Sequence, residues 1–134
     1  MSGKVTAAQS RFLESYVELL GELEDVYAYV SECYIKGDVD IGDRLLRDVM
    51  KGMLPYHPEN MTVVSIFGDD AEAMQVLGKF HGAVLQAVEV EQRFADGEGT
   101  GERMRFLHEV LVRRYQSWRV IVEKKKSEWE SSGE

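Results

Sequence analysis

Tyr34-Ile35-Lys36-Gly37-Asp38, with Gly42-Asp43-Arg44-Leu45 just after it, returns later in the chain as Phe94-Ala95-Asp96-Gly97-Glu98, with Gly101-Glu102-Arg103-Met104 just after that. Both copies run aromatic, two residues, glycine, acid, then a short gap to glycine, acid, arginine and an apolar residue. Glycine after a helical run fits the left-handed position that closes a helix, because it has no Cβ to clash. The acids that follow suit the positive end of the next helix. Each copy therefore reads as the link of a helical hairpin. Two hairpins pack most simply as an antiparallel four-helix bundle, here with an internal pseudo-repeat, so the expected class is all-α. Within each copy, Asp43 with Arg44 and Glu102 with Arg103 read as local ion pairs at helix starts.

Outward from the first turn, residues 6–36 space Phe12, Tyr16, Leu19, Leu23, Val26, Tyr27, Val30 and Tyr34 at helical intervals, opposite Glu14, Glu18, Glu22, Asp25 and Glu32. A shorter second helix should begin near 38–40 and end about Leu54, because Pro55 cannot continue it. Its expected buried stripe is Ile41, Leu45, Leu46, Val49, Met53 and Leu54. Residues 59–67 mix β-branched side chains with no partner strand in view, and read as a short helix or helical lead-in. Gly68, Asp69 and Asp70 break or cap there.

The third long helix, 70–94, is apolar over the widest arc. Met74, Leu77, His81, Val84, Leu85 and Val88 share one face, and Val76, Phe80, Ala83, Ala87, Val90 and Phe94 widen it. A helix this apolar is central or covered by a second molecule. Gly78 and Gly82 read as a place where another backbone comes close. The last helix, 101–130, places Met104, Leu107, Leu111, Tyr115, Trp118, Ile121 or Val122, and Trp129 on one face. The chain reads as a single domain, with 1–5 and 131–134 expected to fray.

The 134 residues suffice for one buried core. No apolar run is long enough to span a bilayer, the first eleven residues lack a signal peptide's apolar block, and Cys33 is the sole cysteine, so a reducing cytoplasm is expected. The net charge of −8 argues against nucleic acid as the main partner. That charge is uneven: residues 102–126 hold 8 Lys/Arg against 3 Asp/Glu. This basic last helix reads as packed beside acidic neighbours, or else as an exposed face for an acidic partner.

His81 lies within the apolar arc and reads as a core histidine satisfied by one hydrogen bond, from a tyrosine or from a carboxylate near Arg114. The alternative is a ligand or proton carrier. Metal is not expected: the bundle di-iron pattern is absent, and His108-Glu109 lacks the second histidine of the zinc-protease helix motif, position 112 being valine. Tyr16, Tyr27 and Tyr34 follow one edge of the first helix with Tyr29 outside. They read as boundary residues with wet hydroxyls, or with Trp118 as an aromatic contact surface. Arg114 falls inside the apolar arc of the last helix, where its stem can snorkel to the edge.

With no catalytic constellation or phosphate loop, no enzyme activity and no cofactor are expected. The favoured reading is a protein-interaction, adaptor or chaperone-like bundle that binds a protein partner or pairs as a homodimer. In size and architecture the chain resembles the small bacterial flagellar or secretion export chaperones. That resemblance implies a client amphipathic helix as partner. The competing reading is a small-ligand bundle with a pocket around His81, Arg114 and the tyrosines.

Overall fold

A computed structural model describes residues 5–94 and 99–132. These form α1 (Ala7–Lys36), α2 (Val39–Met53), α3 (Met61–Phe67), α4 (Ala71–Val88), α5 (Val90–Arg93), α6 (Thr100–Arg105), a π-helical segment (Phe106–Leu111) and α7 (Val112–Ser132). The described chain is all-helical. The second copy of the turn, at Gly97, lies outside the described residues, as do chain ends 1–4 and 133–134 where fraying is expected.

Thr6 and Gln9 start α1 with reciprocal bonds, each side chain accepting from the other's backbone N–H at 3.0 Å. This satisfies two donors that the first turn leaves orphaned. Gly37 ends the helix at φ 87°, the left-handed conformation expected of it. Asp38 N–H then closes back on Cys33 O at 2.8 Å, a Schellman arrangement. From this turn α2 runs back along α1: Tyr34 meets Asp43 near the turn, and Tyr27 meets Met50 farther away. α2 ends at Met53, just ahead of Pro55. Asn60 caps α3 by accepting from Val63 N–H, and Asp70 caps α4 by accepting from Ala73 N–H. The 59–67 stretch is thus helical, as its lack of a partner strand implied.

α1 packs on α2, α6 and α7, and α4 packs on α2 and α7. Their shared core is aromatic. Tyr27 and Tyr115 meet edge to face at 5.0 Å, Phe80 approaches Tyr115 at 6.1 Å, and Phe67 lies 5.0 Å from Trp118. Edge and tilted ring geometries suit the aromatic quadrupole.

Several expected faces shift. In α1 the most buried stripe is Leu13, Tyr16, Leu20, Leu23, Tyr27, Val30 and Tyr34, with Phe12, Leu19 and Val26 on its margin. In α2, Ile41 is 52 % exposed while Gly42 and Asp43 turn inward. α4 stops at Glu89, whose φ and ψ of −104° and 21° leave the helical region, so the expected 70–94 helix is two. Its core face is Ala73, Leu77, Phe80, Ala83, Val84 and Ala87. Leu85 on the other flank is 49 % exposed.

The last long helix is interrupted by its π turn. The buried residues Arg103, Leu107, Leu111 and Tyr115 recur at every fourth position. In an α-helix such a row drifts about 40° per step, since successive residues turn about 100°. The wider π turn absorbs that drift and keeps the row on the core. Beyond it the spacing reverts to Trp118 and Val122.

Candidate functional site

A buried ion pair joins the two copies of the turn motif. Asp43 comes from the first copy and Arg103 from the second, and they are only 3 % and 8 % exposed. Arg103 Nη2 and Nε donate to Asp43 Oδ2 and Oδ1 at 2.9 and 3.0 Å. Tyr34 hydroxyl donates to Oδ1 at 2.7 Å, and Arg103 Nη2 also reaches Phe94 O at 3.3 Å. The bidentate fork explains why an arginine serves here. Gly42 permits the arrangement, because a Cβ there would stand 2.8 Å from the Tyr34 ring. The local pairs expected within each copy do not form in this way: Arg44 is exposed, and Glu102 meets Arg105 at 3.5 Å. Hydrogen bonding to Asp43 pushes the Arg103 pKa up.

The tyrosines and Trp118 are core residues. Tyr16, Tyr27, Tyr34 and Trp118 are all buried, and Trp118 is 0 % exposed, so none offers an outer contact face. Their polar atoms are also bonded inside. Trp118 Nε1 donates to Tyr16 hydroxyl at 2.8 Å, and Tyr27 hydroxyl approaches Met50 Sδ at 3.6 Å. The wet hydroxyls expected at a core boundary are therefore absent from these three positions. Burial pushes all three tyrosine pKa values well up, with the Asp43 hydrogen bond adding to the shift at Tyr34. Tyr29 is exposed, as its position implied.

The candidate surface is α4, which is flanked differently on its two sides. On the α2 side, Met74, Gly78, His81, Leu85 and Val88 recur at spacings of four and three and remain at least partly open. A Cβ at Gly78 would meet nothing within 4 Å, so the close backbone approach expected there does not occur among the described residues. Gly52 of α2 is equally open. His81 lacks its expected hydrogen bond: Nδ1 is buried without a partner among the described residues. Its neighbour is His57, with ring centroids 5.8 Å apart. Burial lowers the His81 pKa, and the nearby His57 lowers it further. His57 is held in the loop after α2 by Glu59 N–H, which donates to its Nδ1 at 3.1 Å.

On the α7 side, Arg114 Nη1 donates to Lys79 O at 3.2 Å, so its stem crosses the apolar arc and its head reaches the edge. Val76, Lys79, Arg113, Arg114 and Ser117 line a groove of about 180 Å³ there. His81 does not line it, so the groove at Arg114 and the histidine pair are separate features.

The π segment contributes one more contact, Ser31 Oγ to His108 Nε2 at 3.1 Å. No carboxylate holds the other ring nitrogen among the described residues, so the pair lacks the orienting group of a nucleophile–base relay. Among the described residues, no three His, Cys, Asp or Glu side chains gather as a metal-ligand set. No described helix is long and apolar enough to cross a membrane.

A family model covers residues 11–121, which takes in the Asp43–Arg103 pair, both flanks of α4 and the π segment. The chain belongs to that family, described as Domain of unknown function (DUF8042). No curated protein and no solved structure matches the chain. The DUF8042 span ends before Lys124, Lys125, Lys126 and Trp129.

His57, Asp43 and the company of Arg114 escape a reading by periodicity. His57 sits in a connection, where no helical spacing marks it. The pairing of Asp43 with Arg103 was signalled by the motif's recurrence, since equivalent positions of the two copies carry an acid and an arginine each. The groove at Arg114 had a signal in the basic surplus of 102–126.

Proposed function

We propose that this chain is a non-enzymatic protein-interaction module, adaptor-like or chaperone-like, built as an antiparallel four-helix bundle from two hairpins. The observation that carries this reading is the stripe of α4 on which Met74, Gly78, His81, Leu85 and Val88 follow the spacing of a helix-packing seam and remain part-open, with Leu85 exposed and open space at Gly78. The open space at Gly78 leaves room for a partner's side chains on the same stripe as Leu85. Such a groove suits the apolar face of an amphipathic helix, supplied by another protein or by a second copy of this chain. The single cysteine, Cys33, is buried and free, which fits a reducing compartment such as the cytoplasm.

The test is Leu85→Asp, which places a charge on the stripe while leaving the core face untouched. The native chain should retain a protein partner or a second copy through gentle purification and native mass spectrometry. The variant should lose it while melting at the same temperature. An identical set of associated species in both samples, or none in either, removes this reading.

A further inference from the structure

The groove between α4 and α7 carries positive charge without internal compensation. Lys79, Arg113 and Arg114 all line it, yet among the described residues none of the three has a carboxylate within ion-pair distance. Elsewhere some described bases are paired, whereas Arg11, Arg44, Lys51, Arg93, Lys124 and Lys125 have no carboxylate within ion-pair distance among the described residues. Arg119 meets Glu24 and Glu123, Lys126 meets Glu130, Arg47 meets Asp48 and Glu91, and Arg103 meets Asp43. In a chain of net charge −8, the groove sets three such cations beside one another. Arg114 is also pre-aimed, because its bond to Lys79 O fixes one end of the guanidinium and leaves the other donors for a ligand.

We propose that this groove receives a glutamate- or aspartate-bearing segment of a protein partner, with the carboxylate seated among Lys79, Arg113 and Arg114 and an adjoining apolar group against Val76. Three features select this occupant. The cations call for an anion, and arginine forks match carboxylate geometry. The volume of about 180 Å³ falls below the range of roughly 300–1,000 Å³ that encloses small ligands, whereas one side chain of a larger partner fits it. The strongly negative remainder of the surface repels a polyphosphate backbone but tolerates a single local carboxylate. This inference rests on the interaction reading above but concerns the opposite flank of α4 from the Leu85 stripe.

The test uses the full ¹⁵N-labelled chain and a capped amphipathic peptide of about 15 residues, long enough to form a helix, with leucines on one face and glutamates beside them. A second peptide replaces every glutamate with glutamine, and inorganic phosphate is titrated separately. The glutamate peptide should shift the amides of Val76, Lys79, Arg114 and Ser117. It should bind about fivefold to tenfold more tightly than the glutamine peptide, the scale of one partly screened charge contact. Raising salt from about 50 to 200 mM should narrow that gap. Arg114→Gln should weaken the glutamate peptide alone, and R113E/R114E should reverse the preference toward a lysine-bearing peptide. Melting curves check that each variant is folded.

Equal binding of both peptides, with shifts at Met74, Leu85 and Val88, overturns the groove assignment and leaves the interaction reading standing. If neither peptide binds, the groove assignment is overturned, and the interaction reading stands or falls on the Leu85→Asp test. Phosphate that binds as tightly as the glutamate peptide overturns the assignment to a protein partner.

Discussion

Asp43 and Arg103 show how much one pair of side chains can demand of a small core. Both charges are largely out of water: Asp43 accepts from Arg103 and Tyr34, and Arg103 also donates to Phe94 O. Removing one member of a buried pair takes the opposite charge from the other, which typically costs about 3–5 kcal/mol, whereas replacing both with apolar groups of similar volume is often neutral. Asp43→Asn should therefore lower unfolding free energy by about 3 kcal/mol in urea titrations. The D43L/R103M double variant should recover most of that loss, and strictly additive losses would show that the two side chains are not coupled. Sequence spacing placed Asp43 and Arg103 at helix starts correctly but paired each with its chain neighbour. Neighbouring positions on a helix do not face each other, and the partner across the core is set by packing. His81 is similar: its place on an apolar arc was legible, but its want of a hydrogen bond depends on the loop that carries His57.

At the scale of elements, most boundaries were legible because their causes are local. Thr6, Gly37, Pro55 and Asp70 act through capping, positive φ or a missing donor, and the helices begin or end beside each of them. Burial faces were less legible. The α4 arc is apolar nearly all round, so composition could not say that Ala73, Leu77 and Phe80 face the core while Leu85 faces outward. The π turn was invisible, since one extra residue in a turn leaves no mark in a helical pattern already wide enough to absorb it. Its role is nevertheless open to test. Deleting Glu109 removes the additional residue and turns α6 by about 100° relative to α7. Arg103 then leaves the core row. The deletion should be strongly destabilising in thermal melts, and Asp43→Asn should add far less to the loss in that background than in the native chain. An Asp43→Asn effect of unchanged size would show that the π turn does not position Arg103.

For the whole molecule, the His57–His81 contact links stability to pH. The folded His81 holds its proton less tightly than the ordinary value of 6.5, because of burial and the neighbouring imidazole. The unfolded chain then binds more protons in the window below 6.5, so stability rises with pH across it. The contribution is complete above 6.5 and is lost as pH falls toward the lowered value. Melting temperatures measured from pH 8 down to 5 should fall on the acid side, and His81→Leu should make that fall shallower. A curve of the same shape in the variant would assign the dependence to other groups.

The ion pair that joins the two turn motifs also guards the assembly against error. A slip of one helical turn between α2 and α6 moves an anchor by about 5.4 Å. Apolar ridges can forgive such a shift by finding new hollows, but the Asp43–Arg103 fork cannot, because its two charges would be pulled out of hydrogen-bond reach of each other. The two halves of the chain are thereby keyed to one alignment by electrostatics as well as by shape.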